Sequence, residues 1–110
     1  MNNGWHGVDL DGTLAYYDGW KGIEHIGDPI PLMAQRVVDW LKNGEEVRIL
    51  TARVSSAFSD RLTAALYIQE WTFKHFGVKL QVTCEKDFAM IDIWDDRAVR
   101  VQENTGIRIK

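Results

Sequence analysis

Apolar residues in this chain come in short runs, each ending at polar side chains, and the runs are separated by stretches with helical spacing. Residues 6–10 read as a buried first strand that feeds an acidic turn. A second apolar run, 47–50, ends at Thr51-Ala52-Arg53, a third covers 80–83, and a fourth, 91–94, leads into Asp95-Asp96. Between the first two, Ala34, Val37, Val38 and Leu41 recur at i, i+3, i+4 and i+7, which predicts a helix with one apolar face. Pro29 and Pro31 bracket its start, and Asn43-Gly44 is a suitable stop. A longer helix is expected before the third strand, with Phe58, Leu62, Ala65, Leu66, Phe73 and Phe76 as its apolar stripe. Ser55, Ser56 or Ser59 would cap it and Gly77 would end it. Residues 15–27 are rich in Tyr, Gly and Trp, with Asp18-Gly19 as a hairpin tip. The alternating tail, Ile107-Arg108-Ile109, is expected to be a short edge strand.

Strands alternating with helices imply an α/β fold, a Rossmann-like three-layer sandwich around a mostly parallel sheet with right-handed crossovers. The polar residues then fall at informative places. Asp9 and Asp11, Thr51, and Asp95 and Asp96 all sit at the C-terminal ends of expected strands, the edge where open α/β sheets bind ligands. Turn chemistry alone does not place oxygen-bearing side chains at three separate strand ends.

Composition narrows the picture. The 110 residues suffice for one domain, and 45% hydrophobic with 26% charged residues is ordinary for a globular chain. A net charge of −3, with no Lys/Arg run, gives no reason to expect a duplex nucleic acid partner. The single cysteine, Cys84, rules out an intrachain disulfide framework and suits a reducing, cytoplasmic setting. Neither an N-terminal leader nor an apolar run of membrane-spanning length is seen in the sequence.

The chemistry concentrates in Gly7-Val8-Asp9-Leu10-Asp11-Gly12-Thr13-Leu14. Residues two apart on a strand share a face, so Asp9 and Asp11 are expected to point at one spot. Two carboxylates ~4 Å apart repel by about 4 kcal/mol at an effective dielectric of ~20. A cation or a shared proton relieves that, so the pair reads as a site for Mg²⁺ and a phosphoryl group.

Asp9-x-Asp11-Gly12-Thr13, the strand-ending Thr51, Lys86, and Asp95-Asp96 together resemble the four motifs of the haloacid dehalogenase-like superfamily, in order and spacing, over residues 6–101. The resemblance implies a core that performs phosphoryl transfer. Asp9 would be the nucleophile, forming an aspartyl-phosphate, and Asp11 the acid/base, its backbone carbonyl also serving the metal. Thr51, with the backbone N–H groups around Ala52, would bind phosphoryl oxygens, and Arg53 would add a charged fork to the phosphate or remain a solvated loop residue. Lys86 would hold nucleophile and phosphate together. Asp96 would ligate Mg²⁺ directly, with Asp95 supporting it.

Other residues are more simply structural. His6, His25 and His75 lack metal-ligand spacing, Cys84 has no base partner, and Lys74 and Lys79 are placed poorly for the site. Trp5, Trp40, Trp71 and Trp94 read as core, whereas Trp20, with Tyr16 and Tyr17, lies in the loop after the first motif, where a substrate contact competes with loop packing.

Nothing long enough to be a cap domain interrupts the chain, so residues 1–110 are expected to form one capless phosphohydrolase domain with an open site. Such a site admits phosphorylated small molecules or the phosphorylated end of a polymer, and leaves room for a second subunit as a lid. Two other classes compete: a receiver-like phospho-acceptor, disfavoured by the order of the acidic residues, and a domain that binds phosphate or a partner without turnover.

Overall fold

The computed structural model describes residues 3–110. It contains four strands, β1 (Trp5–Val8), β2 (Glu46–Leu50), β3 (Gln81–Thr83) and β4 (Met90–Trp94). Two helices, α1 (Pro31–Lys42) and α2 (Arg61–Phe76), and a 3₁₀ turn at Ala52–Val54 complete it. The strands are all parallel, in the order β3-β2-β1-β4. The expected α/β class and Rossmann-like sheet are therefore observed.

Both helical connections step the same way along the sheet, so right-handed crossovers put α1 and α2 on one face. There Val8, Val47 and Ile49 of the strands meet Met33 and Val37 of α1 and Ile68 and Trp71 of α2. On the opposite face the cover is a connection rather than a helix. Trp5 lies beneath the Arg48 guanidinium, 4.5 Å from its ring centre. Asp87, in the 84–89 link between β3 and β4, accepts from Trp5 Nε1 at 2.8 Å and from Arg48 at 3.3 Å. That link thus crosses the back of the sheet.

α1 forms as its spacing predicts, with Pro31 in its first turn and Asn43 as C-cap. α2 exists but buries mainly a different stripe; of the expected one, Phe76 packs partly against the core and Phe58 lies before the helix. Ala64, Ile68, Trp71 and Thr72 face the core, while Leu62 (77% exposed), Leu66 and Phe73 face outward. The helix is apolar on more than one side, and the core receives the stripe that carries Trp71, whose indole also donates to Gly27 O at 3.0 Å. Its N-cap is Asp60, without a side-chain bond, rather than a serine, and Gly77 closes it at φ 77° as expected.

Residues 18–19 form a bend rather than a paired hairpin tip. Only the ends of their loop pair, through an Ala15–Pro29 bridge and Tyr16 N to Asp28 O at 2.8 Å. The tail pairs with itself instead of joining the sheet. Gln102 N donates to Ile107 O at 2.7 Å and Ile109 N to Arg100 O at 2.8 Å, forming an exposed hairpin. Among the described residues no helix is long and apolar enough to cross a membrane.

Candidate active site

β1 and β4 are neighbours although they are the first and last of the four sheet strands among the described residues, and strand order reverses beside β1. Such a switch point leaves a crevice at the carboxyl ends of the strands. Asp9 follows β1 directly, its N–H bonded to Trp94 O at 2.9 Å, so it stays in register with the end of β4. Asp95 and Asp96 follow β4. Carboxylate oxygens of Asp9, Asp95 and Asp96 come within 4.8 Å of one another.

Thr13 holds this trio from within. Its hydroxyl donates to Asp96 Oδ1 at 3.0 Å, reaches Asp9 Oδ2 at 3.5 Å and accepts from Asp96 N at 2.9 Å. Gly12, at φ 88°, lets the turn pass close by, since a Cβ there would lie 2.7 Å from Asp96 Oδ2. The arrangement is electrostatically costly. Desolvation, the charge of Asp95 and the hydrogen bond and charge of Asp96 push the Asp9 carboxyl up to about 7. A hard cation among these all-oxygen donors would remove that cost.

Asp11 does not join the trio. The chain turns tightly after Leu10, whose carbonyl accepts from Leu14 N at 3.0 Å and Ala15 N at 2.8 Å, so strand alternation has ended before Asp11. Its carboxylate instead meets Arg53 in a two-point fork, Nε to Oδ2 at 2.7 Å and Nη2 to Oδ1 at 2.8 Å. Arg53 is not a solvated loop residue. It is 5% exposed, also donates to the carbonyls of Ile23 and His25, and stacks 4.8 Å from the centre of Trp20. One guanidinium therefore ties the first turn, the 16–28 loop and the turn after β2 together. Sequence reading missed this role because it depends on two loops meeting in space.

Thr51 is buried, and its hydroxyl accepts from Arg53 N at 3.1 Å, capping the 3₁₀ turn. Thr51, Ala52 and Arg53 all line a cleft of about 880 Å³ with Asp9, Asp11, Asp95 and Asp96. Lys86 does not line it. It is exposed and forms no ion pair among the described residues. Asp87, fastened to Trp5 and Arg48, draws this segment across the back of the sheet. Cys84, still near the strand end, does reach the cleft, as does Arg97, which the sequence did not single out.

No protein-family model matches the chain, and no curated protein does. Among solved structures, the chain is similar to a conserved protein from Bacteroides thetaiotaomicron. The two are 18% identical, the TM-score is 0.61, and the match covers 89% of this chain and 79% of the other. At that identity the likeness is one of fold.

Proposed function

We propose that this protein is a Mg²⁺-dependent phosphomonoesterase of the haloacid dehalogenase-like type, using Asp9 as nucleophile. The observation that carries this reading is the convergence of Asp9, Asp95 and Asp96 at the switch point of a parallel sheet. Thr51 and Ala52 beside them support it as phosphate-binding groups.

A cation held by the three carboxylates would offset charge on the phosphoryl oxygens. The Asp9 carboxylate attacks phosphorus in line, and the bond to the leaving oxygen breaks as the aspartyl-phosphate forms. Asp11, released from the Arg53 fork and protonated, gives its proton to the departing alcohol. It then takes one from the water whose oxygen attacks phosphorus, releasing phosphate and restoring Asp9. Thr51 and the backbone around Ala52 hold phosphoryl oxygens throughout. Substrates are phosphorylated small molecules or polymer ends, met in an open cleft, and the free, exposed Cys84 fits a reducing, cytoplasmic setting.

The test is a phosphatase screen with Mg²⁺ over small phosphomonoesters, nucleotides and phosphorylated oligonucleotide ends. Activity is expected that EDTA removes, and Asp9→Asn should lower kcat by at least 10³-fold, to order of magnitude, as loss of a nucleophile does. Near-normal turnover in Asp9→Asn would sink the role given to that residue.

A second reading has its own support. Arg53 engages both oxygens of Asp11, which must be released to handle a proton, and Lys86 stands outside the cleft. Both features suit a domain that binds a cation and phosphate without turnover. Mg²⁺ raising Tm in the wild type but not in Asp96→Asn, with no phosphate released from any ester in the screen, would favour it.

A further inference from the structure

The cleft wall beyond the acidic trio is aromatic. Tyr17 and Trp20 reach it from the 16–28 loop and Phe58 from the segment before α2, beside Ser55 and Ser56. Trp20 is 49% and Phe58 37% exposed, and their ring centres lie 5.9 Å apart at 45°. Large rings left half in water forgo burial that would stabilise the fold. Trp20 is also held in place, and Phe58 packs against it. Trp20 is stacked on Arg53, Arg53 is fixed by Asp11 and two loop carbonyls, and the loop ends are paired. A preorganised aromatic surface that faces a cleft is suited to stacking on a planar ring.

Size and polarity narrow the ligand further. A volume of about 880 Å³ is far larger than a phosphate or a three-carbon ester fills, and lies in the range of drug-sized ligands. Hydroxyl side chains at Ser55 and Ser56, next to Phe58, offer hydrogen bonds to the edge of a heterocycle, which a plain phenyl ring does not use.

We infer that Trp20 and Phe58 are specificity-determining residues that select a nucleotide, its 5′-phosphate at the acidic trio and its base against the aromatic wall. This rests on the phosphomonoesterase reading and adds the substrate class. The shared chemistry is a nucleoside 5′-phosphate, free or at the end of a strand.

Steady-state kinetics with Mg²⁺ on adenosine 5′-monophosphate and ribose 5-phosphate, which carries an anomeric hydroxyl in place of the base, test the inference. The expected kcat/KM ratio favours the nucleotide by about 5- to 100-fold, the range one base–aromatic stack supports. Trp20→Ala and Phe58→Ala should each pull that ratio toward one through KM for the nucleotide, and Trp20→Tyr should restore most of it. Phe58→Ala removes no hydrogen bond, so it remains informative if Trp20→Ala folds poorly. A 5′-phosphorylated oligonucleotide as third substrate separates the sources: preference for it identifies a strand end, preference for the mononucleotide a free ligand, and either supports the inference. Equal kcat/KM on the first two substrates overturns it while leaving the phosphomonoesterase standing. If none of the three is hydrolysed while another ester of the screen is, the inference alone falls; if no ester of the screen is hydrolysed, both fall.

Discussion

Gly12 and Arg53 show how few atoms hold the acidic crevice in shape. With φ at 88° and Asp96 packed against its Cα, Gly12 leaves no room for a side chain. Gly12→Ala is expected to cost about 1–3 kcal/mol in a urea titration, through the left-handed backbone and the displaced carboxylate. In the reaction proposed above it should also raise the Mg²⁺ concentration needed for half-maximal activity. Unchanged stability and Mg²⁺ response would contradict the close packing. Arg53 makes a different prediction. Because it joins Asp11, Ile23 and His25, Arg53→Ala should expose residues 16–28 to limited proteolysis that the wild type resists. An identical cleavage pattern in the two proteins would remove its role as a strap. The carboxylates at the strand ends were legible in the sequence, because an apolar run that stops at Asp is a local pattern. The Asp11–Arg53 fork was not, since 42 residues separate the partners and only folding brings them together.

Helix α2 marks where periodicity alone is insufficient. Its existence and its stop at Gly77 follow from spacing and from the left-handed conformation glycine allows. Its buried side does not, because Leu62, Leu66 and Phe73 trace one apolar stripe and Ala64, Ile68 and Trp71 another. Hydrophobicity cannot rank the two; contact with the strands and with Gly27 does. Ile68→Ala should therefore lower unfolding free energy by about 2–5 kcal/mol. Leu66→Ala, on the outward stripe, should change it by no more than about 0.5 kcal/mol. Urea denaturation of both variants decides, and a reversed order would mean the helix is rotated. The link between β3 and β4 carries a similar lesson. The family resemblance implied a phosphate-binding role for Lys86, yet the anchoring of Asp87 behind the sheet takes the segment elsewhere.

Across the molecule, His6 connects parts that are distant in sequence. Its ring is buried, stacked 4.1 Å from the Trp40 ring, and bonded to Asp92 through Nδ1 and to Glu45 through Nε2, both at 2.8 Å. Burial opposes its charge, but the hydrogen bonds and charges of Glu45 and Asp92 outweigh that and raise its pKa above the ordinary value. A histidine raised on folding adds stability that is fully present below its unfolded value, about 6.5. That stability fades as pH climbs through the raised folded value. Wild-type stability, followed by urea titration, should thus decline across this alkaline-going window, and His6→Gln should flatten the decline. Parallel pH profiles for the two proteins would show that the clamp is not charged. The sheet order was legible only in part, since repeated strand–helix units imply parallel neighbours but not that β4 returns beside β1.

That return has a consequence for biosynthesis. Asp9 leaves the ribosome before Asp95 and Asp96, which are made only after β4 has been translated. A nascent or prematurely terminated polypeptide ending before residue 95 carries one carboxylate of the three, so truncated copies lack the cluster altogether instead of holding a weakened form of it.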